Sequence, residues 1–263
     1  MEFDPNQRVL FDDAASDYHQ FRPHYPDSAI DDVIANTGVD ATTRLLEIGC
    51  GTGQATVSFA RHGFWIDSVE LGPELAALAV QCLKQFRNVS VHNVPFASYN
   101  EAPGTYGLIY SAQAFHWIEP ELRLVRCHEL LAPQGSLALI YNYTPRQEGA
   151  LLELSFEIEA ASGGALSASA PHYDGDIDRW SRELNGTPLF RDLTVDQYRW
   201  EHTYTAEEYV GLFRTYSDFR SLAPAVQGTV ANAVRHGIEA RGGTVNRRYI
   251  CTVFLVRKAS LVS

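Results

Sequence analysis

The sequence predicts an α/β protein built on a doubly wound, mostly parallel sheet of seven strands, with a helical lid inserted after the fifth strand. Two observations carry this prediction. Strand-like and helix-like segments alternate through the first half of the 263 residues, a pattern typical of βαβ units and a parallel sheet. The apolar run at residues 45–48 also leads through three alternate glycines straight into a helical segment. In open α/β sheets, ligands bind at such turns.

Apolar spacing and turn residues define the elements of the first half. A second strand, residues 64–70, follows a glycine stop, and Pro73 opens a helix whose apolar residues recur at helical spacing. Pro120 opens another helix in the same way. The remaining strands of this half are predicted at 89–94, 106–110 and 136–141.

The alternation lapses from residue 142 to residue 190, and we interpret this segment as the lid. Residues 151–160 have a helical pattern, and 162–170 are rich in glycine, serine and alanine, which favours flexibility. Because the segment follows the fifth strand, we expect it to fold over the carboxyl edge of the sheet and form the substrate pocket. We also expect it to become more ordered when cofactor is bound.

The last part of the chain is predicted to complete the sheet. A strand resumes near residue 195, and Thr205 and Glu208 form a capping-box pattern that begins a helix. A further helix ends at Gly242, and an apolar strand follows at 249–256. The expected units are a core with an N-terminal cover segment at 1–141, the lid at 142–190 and the closing segment at 191–263.

The composition disfavours several classes of partner. The chain has 21 lysines and arginines against 32 aspartates and glutamates, a net charge of −11. Such a surface repels polyphosphate and anionic lipid, so we expect neither nucleic acid nor membrane partners. The four cysteines have no Cys-x-x-Cys or Cys/His ligand spacing, so we expect no metal site and no disulfides. Without an apolar leader or a long apolar run, we expect a cytoplasmic monomer or homodimer.

The glycine turn after the first strand is typical of a site for a nucleotide-like cofactor. Alternate glycines let the backbone turn sharply and approach a ligand, and the following helix directs unpaired N–H groups into the turn. Dinucleotide folds space these glycines as G-x-G-x-x-G around a pyrophosphate. Here the third glycine comes one position earlier, and Glu47 precedes the loop, where an acid suits a cationic amino group better. Glu70 ends the second strand, and its carboxylate can accept hydrogen bonds from both hydroxyls of a ribose.

The run E-x-G-x-G-x-G at residues 47–53 resembles the first motif of class I S-adenosylmethionine-dependent methyltransferases. Residues 11–26 resemble the N-terminal segment that folds over the cofactor in many small-molecule methyltransferases. Residues 111–117 resemble the fourth-strand motif of the subgroup that includes trans-aconitate methyltransferase-like proteins. Residues 130–135 resemble the family's L-x-P-G-G turn, with Gln134 in place of a glycine, a replacement that is tolerable if this backbone position keeps a negative φ.

The resemblance implies a Rossmann-like methyltransferase fold and methyl transfer from S-adenosyl-L-methionine to a small molecule, which we expect to occur at oxygen. Tyr18 and Arg22 are expected to hold the cofactor's carboxylate, because a guanidinium offers a planar fork of donors. No acid follows the third strand, so we expect backbone groups around Pro95 and Phe96 to recognise adenine, with Phe96 or Leu71 on the ring. Recognition by Asn93 or Ser98 is the alternative. The full set of expected cofactor-binding residues is Tyr18, Arg22, Glu47, Gly49, Gly51, Gly53, Gln54, Glu70, Leu71, Pro95, Phe96, Ser111, Ala112 and Gln113.

His116 is the candidate general base, because it follows the fourth strand and a histidine with the usual pKa near 6.5 exchanges protons near neutrality. The alternative is that His116 and Trp117 only wall the pocket. The aromatic residues that could line an acceptor site are Tyr141, Tyr143, Trp180, Trp200 and Tyr216.

Two functions of other classes stay open at this point. A nicotinamide-dependent oxidoreductase on a related sheet would need a seat for pyrophosphate, which the glycine spacing and Glu47 disfavour. A non-catalytic S-adenosylmethionine-binding protein is compatible with the missing adenine acid. Methylation of protein or tRNA is disfavoured by the acidic composition.

Overall fold

The computed structural model describes residues 15–146, 148–167 and 173–260. The first part of the motif expected at 11–26, and residues 168–172 of the expected lid, lie outside the described residues.

Seven strands form one sheet in the order β3-β2-β1-β4-β5-β7-β6, which confirms the predicted doubly wound, mostly parallel α/β sheet. The first five strands pair in parallel, whereas β7 runs antiparallel to both β5 and β6. The strands are β1 Arg44–Ile48, β2 Trp65–Glu70, β3 Val89–Asn93, β4 Tyr106–Ala112, β5 Leu131–Tyr143, β6 Phe190–Thr205 and β7 Thr244–Lys258.

Helices cover both faces of this sheet. The predicted capping box is present at the start of α8, where the Thr205 hydroxyl accepts from the Glu208 N–H and the Glu208 side chain accepts from the Thr205 N–H. The helices are α1 Ala15–Phe21, α2 Asp27–Thr37, α3 Gln54–Ala60, α4 Pro73–Leu83, α5 Pro120–Leu130, α6 Gly149–Ala161, α7 Tyr173–Asn185, α8 Ala206–Arg214, α9 Ser217–Arg220 and α10 Pro224–Glu239.

The core lies on both sides of the parallel strands. Leu45 and Leu46 are consecutive in β1 and both are fully buried, because side chains alternate between the faces of a strand and both faces carry helices. Leu46 belongs to the hydrophobic cluster on one side of the sheet, and Leu45 belongs to the cluster on the other.

The turn before the fifth strand differs from the prediction. β5 begins at Leu131 rather than Ser136, because Leu131 pairs with Tyr106 and the ladder resumes, after a register shift, where Ser136 pairs with Leu108. Gln134 lies in this irregular stretch with φ +63°. The condition of a negative φ is therefore not met, and a left-handed conformation is unfavourable for a residue with a Cβ.

The two helices of the expected lid pack as part of the core. Leu154 of α6 is fully buried in a cluster with residues of α8 and α10, such as Leu212 and Val234. Trp180 of α7 is fully buried beside Tyr141 of β5, with their ring centroids 5.6 Å apart. The apolar faces of both helices are thus occupied by the body of the protein.

Candidate functional site

A cavity of about 750 Å³ opens at the carboxyl edge of the parallel strands. Its floor is formed where β1, β2 and β4 end, and its opposite wall by the end of α1 and the turn between α8 and α9. The expected site residues that line it are Tyr18, Arg22, Gly49, Gly51, Glu70, Leu71, Pro95, Phe96, Gln113 and His116.

The glycine loop has the backbone that its sequence predicts. Gly49, Gly51 and Gly53 all have positive φ, at 71°, 57° and 95°. A Cβ on Gly49 would lie 2.4 Å from the Cβ of Ala114, so space as well as backbone conformation requires glycine there. Gly49 and Gly51 line the cavity, whereas Gly53 faces Leu83 and does not.

Glu70 is fixed at the rim of the cavity by backbone donors. One carboxylate oxygen accepts from the Gly51 N–H at 2.8 Å and the other from the Gly72 N–H at 2.9 Å. The amide of Asn93 donates to the backbone carbonyls of Glu70 and Leu71, at 2.9 and 3.0 Å, and holds this turn in place. Because each carboxylate oxygen has two lone pairs, Glu70 keeps the capacity to accept from ligand hydroxyls.

Glu47 lies beneath the loop and does not line the main cavity. Its carboxylate is almost fully buried and accepts from the hydroxyls of Thr56 and, at 3.1 Å, Tyr110. Burial raises the pKa of Glu47 to about 7, because removing the carboxylate from water disfavours its charged form. Glu47 instead lines a small adjoining cavity together with Gln54 and Ala112.

Arg22 lies just after α1 with its guanidinium between two aromatic rings. The guanidinium carbon is 5.1 Å from the Tyr18 ring centroid and 4.7 Å from that of Tyr216. One terminal nitrogen donates to the Thr215 carbonyl at 2.8 Å, whereas the buried Nε has no hydrogen-bond partner. Burial raises the pKa of the Tyr18 phenol. The structure therefore brings both predicted carboxylate-binding residues to the cavity, with donor capacity left on Arg22.

The residues expected after the fourth strand separate into two groups. Gln113 lines the cavity with φ +57°, and its amide donates to the Asn142 carbonyl at 2.9 Å. Ser111 is fully buried, lines neither cavity, and donates to the Ile48 carbonyl at 2.8 Å. Its hydroxyl thus ties β4 to β1. Gln54 has a similar tying contact, from its amide to the Tyr18 carbonyl at 3.3 Å.

His116 lies in a short 3₁₀ helix, Phe115–Trp117, on the cavity wall. Its ring packs on Trp117 at 4.6 Å between centroids, and Nδ1 is 3.5 Å from the Tyr141 hydroxyl. Burial, with the charges of Arg179 and Arg123 adding to it, lowers the pKa of His116 to about 3. The imidazole is therefore neutral and weakly basic near neutrality, so the ordinary pKa that suggested a general base does not apply here.

The described residues of the expected lid do not form the substrate pocket that was predicted there. None of the described residues between 143 and 190 lines the main cavity, and Asn142 lines only the smaller one. Tyr216, Ser217 and Asp218 line the main cavity instead. Tyr216 is one of the candidate aromatic residues. Ser217 and Asp218, at the start of α9, were not predicted, because no local pattern indicates which surface a segment so far along the chain covers.

A close contact between α1 and α8 places this wall. Gly211 of α8 leaves room for the ring of Phe21, and a Cβ on Gly211 would lie 2.3 Å from a ring carbon. We call the wall formed by Tyr18, Arg22 and the turn at Tyr216 the cap.

Among the described residues, no group of three or more His, Cys, Asp or Glu side chains could hold a metal ion. Within the same ranges, no helix is long and apolar enough to cross a membrane.

Comparison with known proteins identifies a family. Residues 45–135, from β1 into the first residues of β5, match the model of a methyltransferase domain. An uncharacterized methyltransferase-like protein of Schizosaccharomyces pombe is 30% identical over 128 residues, which cover 48% of this chain and 49% of that protein. Trans-aconitate 2-methyltransferase of Mycobacterium tuberculosis is 27% identical over 124 residues, covering 46% of this chain and 43% of the enzyme. The chain thus spans about half the length of the curated relatives that it matches.

A solved structure extends the similarity of fold beyond the matched domain. A protein of Anaeromyxobacter dehalogenans, provisionally named a type II methyltransferase, superposes with a TM-score of 0.66 at 18% identity. The match covers 92% of this chain and 100% of that one. With the glycine loop and the strand order in agreement, residues 45–135 form a methyltransferase domain of the class I S-adenosylmethionine-dependent type.

Proposed function

We propose that this protein transfers a methyl group from S-adenosyl-L-methionine to an oxygen atom of a small-molecule acceptor. The observation that carries the proposal is the position of Glu70. Its carboxylate is fixed by the N–H groups of Gly51 and Gly72 at the rim of a 750 Å³ cavity, where a ribose diol would find two acceptor oxygens.

The rest of the cavity supports the same cofactor. Leu71, Pro95 and Phe96 form an apolar stretch of the wall beyond Glu70, suited to a flat adenine ring. Arg22 lies on the cap with donor capacity for a carboxylate. We assign adenine to the first group, ribose to Glu70 and the amino-acid carboxylate to Arg22.

Methyl transfer needs positioning more than acid–base chemistry. The nucleophile, methyl carbon and sulfur must be collinear, so a wall that fixes both reactants is the main requirement. When an anionic oxygen attacks a sulfonium, charge is lost in the transition state, and a cavity with apolar walls such as Trp117 and Ile118 favours that loss.

A carboxylate acceptor is compatible with the weak basicity of His116, because it needs no general base. Phenols and amines must lose a proton, whereas a carboxylate is already ionised near neutrality. The pKa of His116, about 3, makes it a poor proton acceptor. The named relative acts on trans-aconitate, a tricarboxylate whose heteroatoms are all oxygen. We therefore place oxygen ahead of nitrogen as the methylated atom, with His116 as a wall residue.

Calorimetric titration with S-adenosylhomocysteine tests the proposal. We expect binding by the wild type, and weakening by about 1–3 kcal/mol in Glu70→Gln, because ribose hydroxyls lose an acceptor. The exposed Glu121 on α5 provides the matched control, and Glu121→Gln is expected to bind as the wild type does. Absence of binding by a folded wild type would refute the proposal. Binding of reduced nicotinamide dinucleotide instead would favour the alternative function, a nicotinamide-dependent oxidoreductase.

A further inference from the structure

Arg247 of β7 lies in a cluster of aromatic rings close to the cap. Its guanidinium carbon is 5.4 Å from the Tyr249 ring centroid, 5.7 Å from that of Tyr209 and 6.0 Å from that of Tyr216. One terminal nitrogen donates to the Tyr209 hydroxyl at 3.3 Å and the other to the Thr144 hydroxyl at 2.9 Å. The cluster therefore surrounds a cation with neutral groups.

This guanidinium is not neutralised within the described parts of the chain. No described carboxylate lies within 4.0 Å of it, and its buried Nε has no hydrogen-bond partner. Other arginines do have acidic partners. Arg123 contacts Glu183, Arg241 contacts Glu153 and Glu157, and the neighbouring Arg248 contacts Glu148 at 2.7 Å. A sheltered cation with an unused donor is costly unless a ligand supplies the missing charge.

Tyr216 lies between the main cavity and Arg247, which itself lines neither cavity. The Tyr216 ring lines the cavity and lies against Arg22, at 4.7 Å, and against Arg247, at 6.0 Å. Thr144 directly follows β5, so the hydroxyl that holds Arg247 lies at the carboxyl edge of the sheet. Two guanidinium groups that have no carboxylate partner among the described residues thus flank one ring, in a protein whose net charge is −11. Such a local reversal of charge attracts anions.

We propose that Arg247, together with the hydroxyls of Thr144 and Tyr209, binds a carboxylate of the acceptor that is remote from the methylated oxygen. The inference rests on the proposed function, which assigns Arg22 to the carboxylate of the cofactor and so leaves the second cation to the acceptor. A carboxylate matches the planar donor fork of a guanidinium and its unused Nε–H. Arg247 is then a residue that determines specificity for anionic acceptors and has no part in the chemical step.

The experiment titrates three carboxylates, namely trans-aconitate, glutarate and benzoate, into protein saturated with S-adenosylhomocysteine, with inorganic phosphate as a control anion. We expect the wild type to bind at least one of the three more tightly than phosphate. In Arg247→Gln that binding falls about tenfold or more, since a charge-assisted hydrogen bond is lost. Arg247→Lys retains part of it. The matched control is Arg248→Gln on the same strand, which keeps wild-type affinity.

Two further measurements separate this role from a structural one. Arg247→Gln must keep its affinity for S-adenosylhomocysteine within about twofold, and an acceptor that is turned over must show a raised KM with little change in kcat. If Arg247→Gln fails to fold, Thr144→Val removes one partner of the guanidinium while the charge stays, and a weakening of about threefold is expected.

The outcomes distinguish this inference from the proposed function. A wild type that binds S-adenosylhomocysteine but none of the three carboxylates, or binds them no better than phosphate, overturns the role of Arg247 and leaves the proposed function intact. Equal carboxylate binding by the wild type and Arg247→Gln overturns it as well. A wild type that fails to bind S-adenosylhomocysteine refutes the proposed function itself.

Discussion

The two sides of the cavity are built over very different distances along the chain. The floor joins Gly51 to Glu70, which are 19 residues apart, through a hydrogen bond between the ends of two adjacent parallel strands. The cap joins Arg22 to Thr215, which are 193 residues apart, through helices packed on each other. The floor depends on backbone conformations that few residues adopt, whereas the cap depends on side-chain packing that many sequences could supply. Substitutions that affect one side alone can test this contrast.

Gly49→Ala is expected to have the largest effect, because it disrupts the backbone of the floor. The new Cβ would lie 2.4 Å from that of Ala114, and φ there is +71°. Binding of S-adenosylhomocysteine should fall below detection, and the free energy of unfolding should drop by more than about 3 kcal/mol, from steric overlap and backbone strain together. Chemical denaturation and calorimetry measure both.

Gly63→Ala is the control for backbone strain alone. Gly63 also has a positive φ, +86°, but a Cβ there would meet nothing within 4 Å. We expect a loss of about 1–2 kcal/mol and unchanged cofactor affinity. If both alanine variants behaved alike, the contact with Ala114 would not matter and the floor would be less constrained than the geometry indicates.

The buried acid beneath the floor should make stability depend on pH. Folding raises the pKa of Glu47 from its usual value to about 7, so its contribution to stability is fully present below the unfolded pKa and is lost as pH rises through 7. Relative to Glu47→Gln, the wild type should lose up to about 3 kcal/mol of unfolding free energy between pH 4 and pH 8. Denaturation curves of both proteins across this range give the difference.

Glu121→Gln, at an exposed position, is the reference for replacing a glutamate by glutamine, and its stability is measured over the same pH range. If the cofactor's ammonium approaches Glu47 through the small adjoining cavity, binding near pH 6.5 should also release protons, because a nearby cation lowers the pKa of an acid. Calorimetry in buffers of different ionisation enthalpy detects the release. A flat difference between Glu47→Gln and the wild type would show that Glu47 does not titrate with a raised pKa.

Gly211→Ala tests the cap while leaving the floor intact. Its Cβ would lie 2.3 Å from the Phe21 ring, so α1 must shift away from α8. We expect a loss of about 1–3 kcal/mol of stability from overpacking, and weaker binding of S-adenosylhomocysteine because Arg22 moves with α1. The helical control is Gly228→Ala on α10, where a Cβ meets nothing within 4 Å. That variant should gain about 0.5–1 kcal/mol. Unchanged cofactor affinity in Gly211→Ala would show that the cap does not contribute to cofactor binding.

Gln134→Gly should have the smallest effect and lies outside both sides of the cavity. It relieves a residue held at φ +63°, so the free energy of unfolding should rise by up to about 1 kcal/mol, the strain of a left-handed residue less the entropy that glycine loses. Gln134→Ala keeps the Cβ and should show no gain. Thermal unfolding of the two variants measures this difference in stability. Equal midpoints would mean that the turn is not strained.

The sequence alone determined the sheet, the glycine loop and the acid that ends β2, because these depend on local constraints. Positive φ at Gly49 and Gly51 requires glycine, and apolar spacing fixes which faces are buried. Residues in adjoining βαβ units are also brought together by the rules of parallel sheets.

Only the tertiary structure determined which residues form the cap, where the helices of the expected lid pack, and how the pKa values of the site shift. The apolar spacing of residues 151–160 predicted a helix, but the surface that it covers depends on α8 and α10, which lie far along the chain. The pKa values of His116 and Glu47 moved in opposite directions from their usual ranges, because burial disfavours the charged form of each and the two groups carry opposite charges when ionised. Burial and charge at a residue are set by neighbours distant in sequence, and no local pattern encodes them.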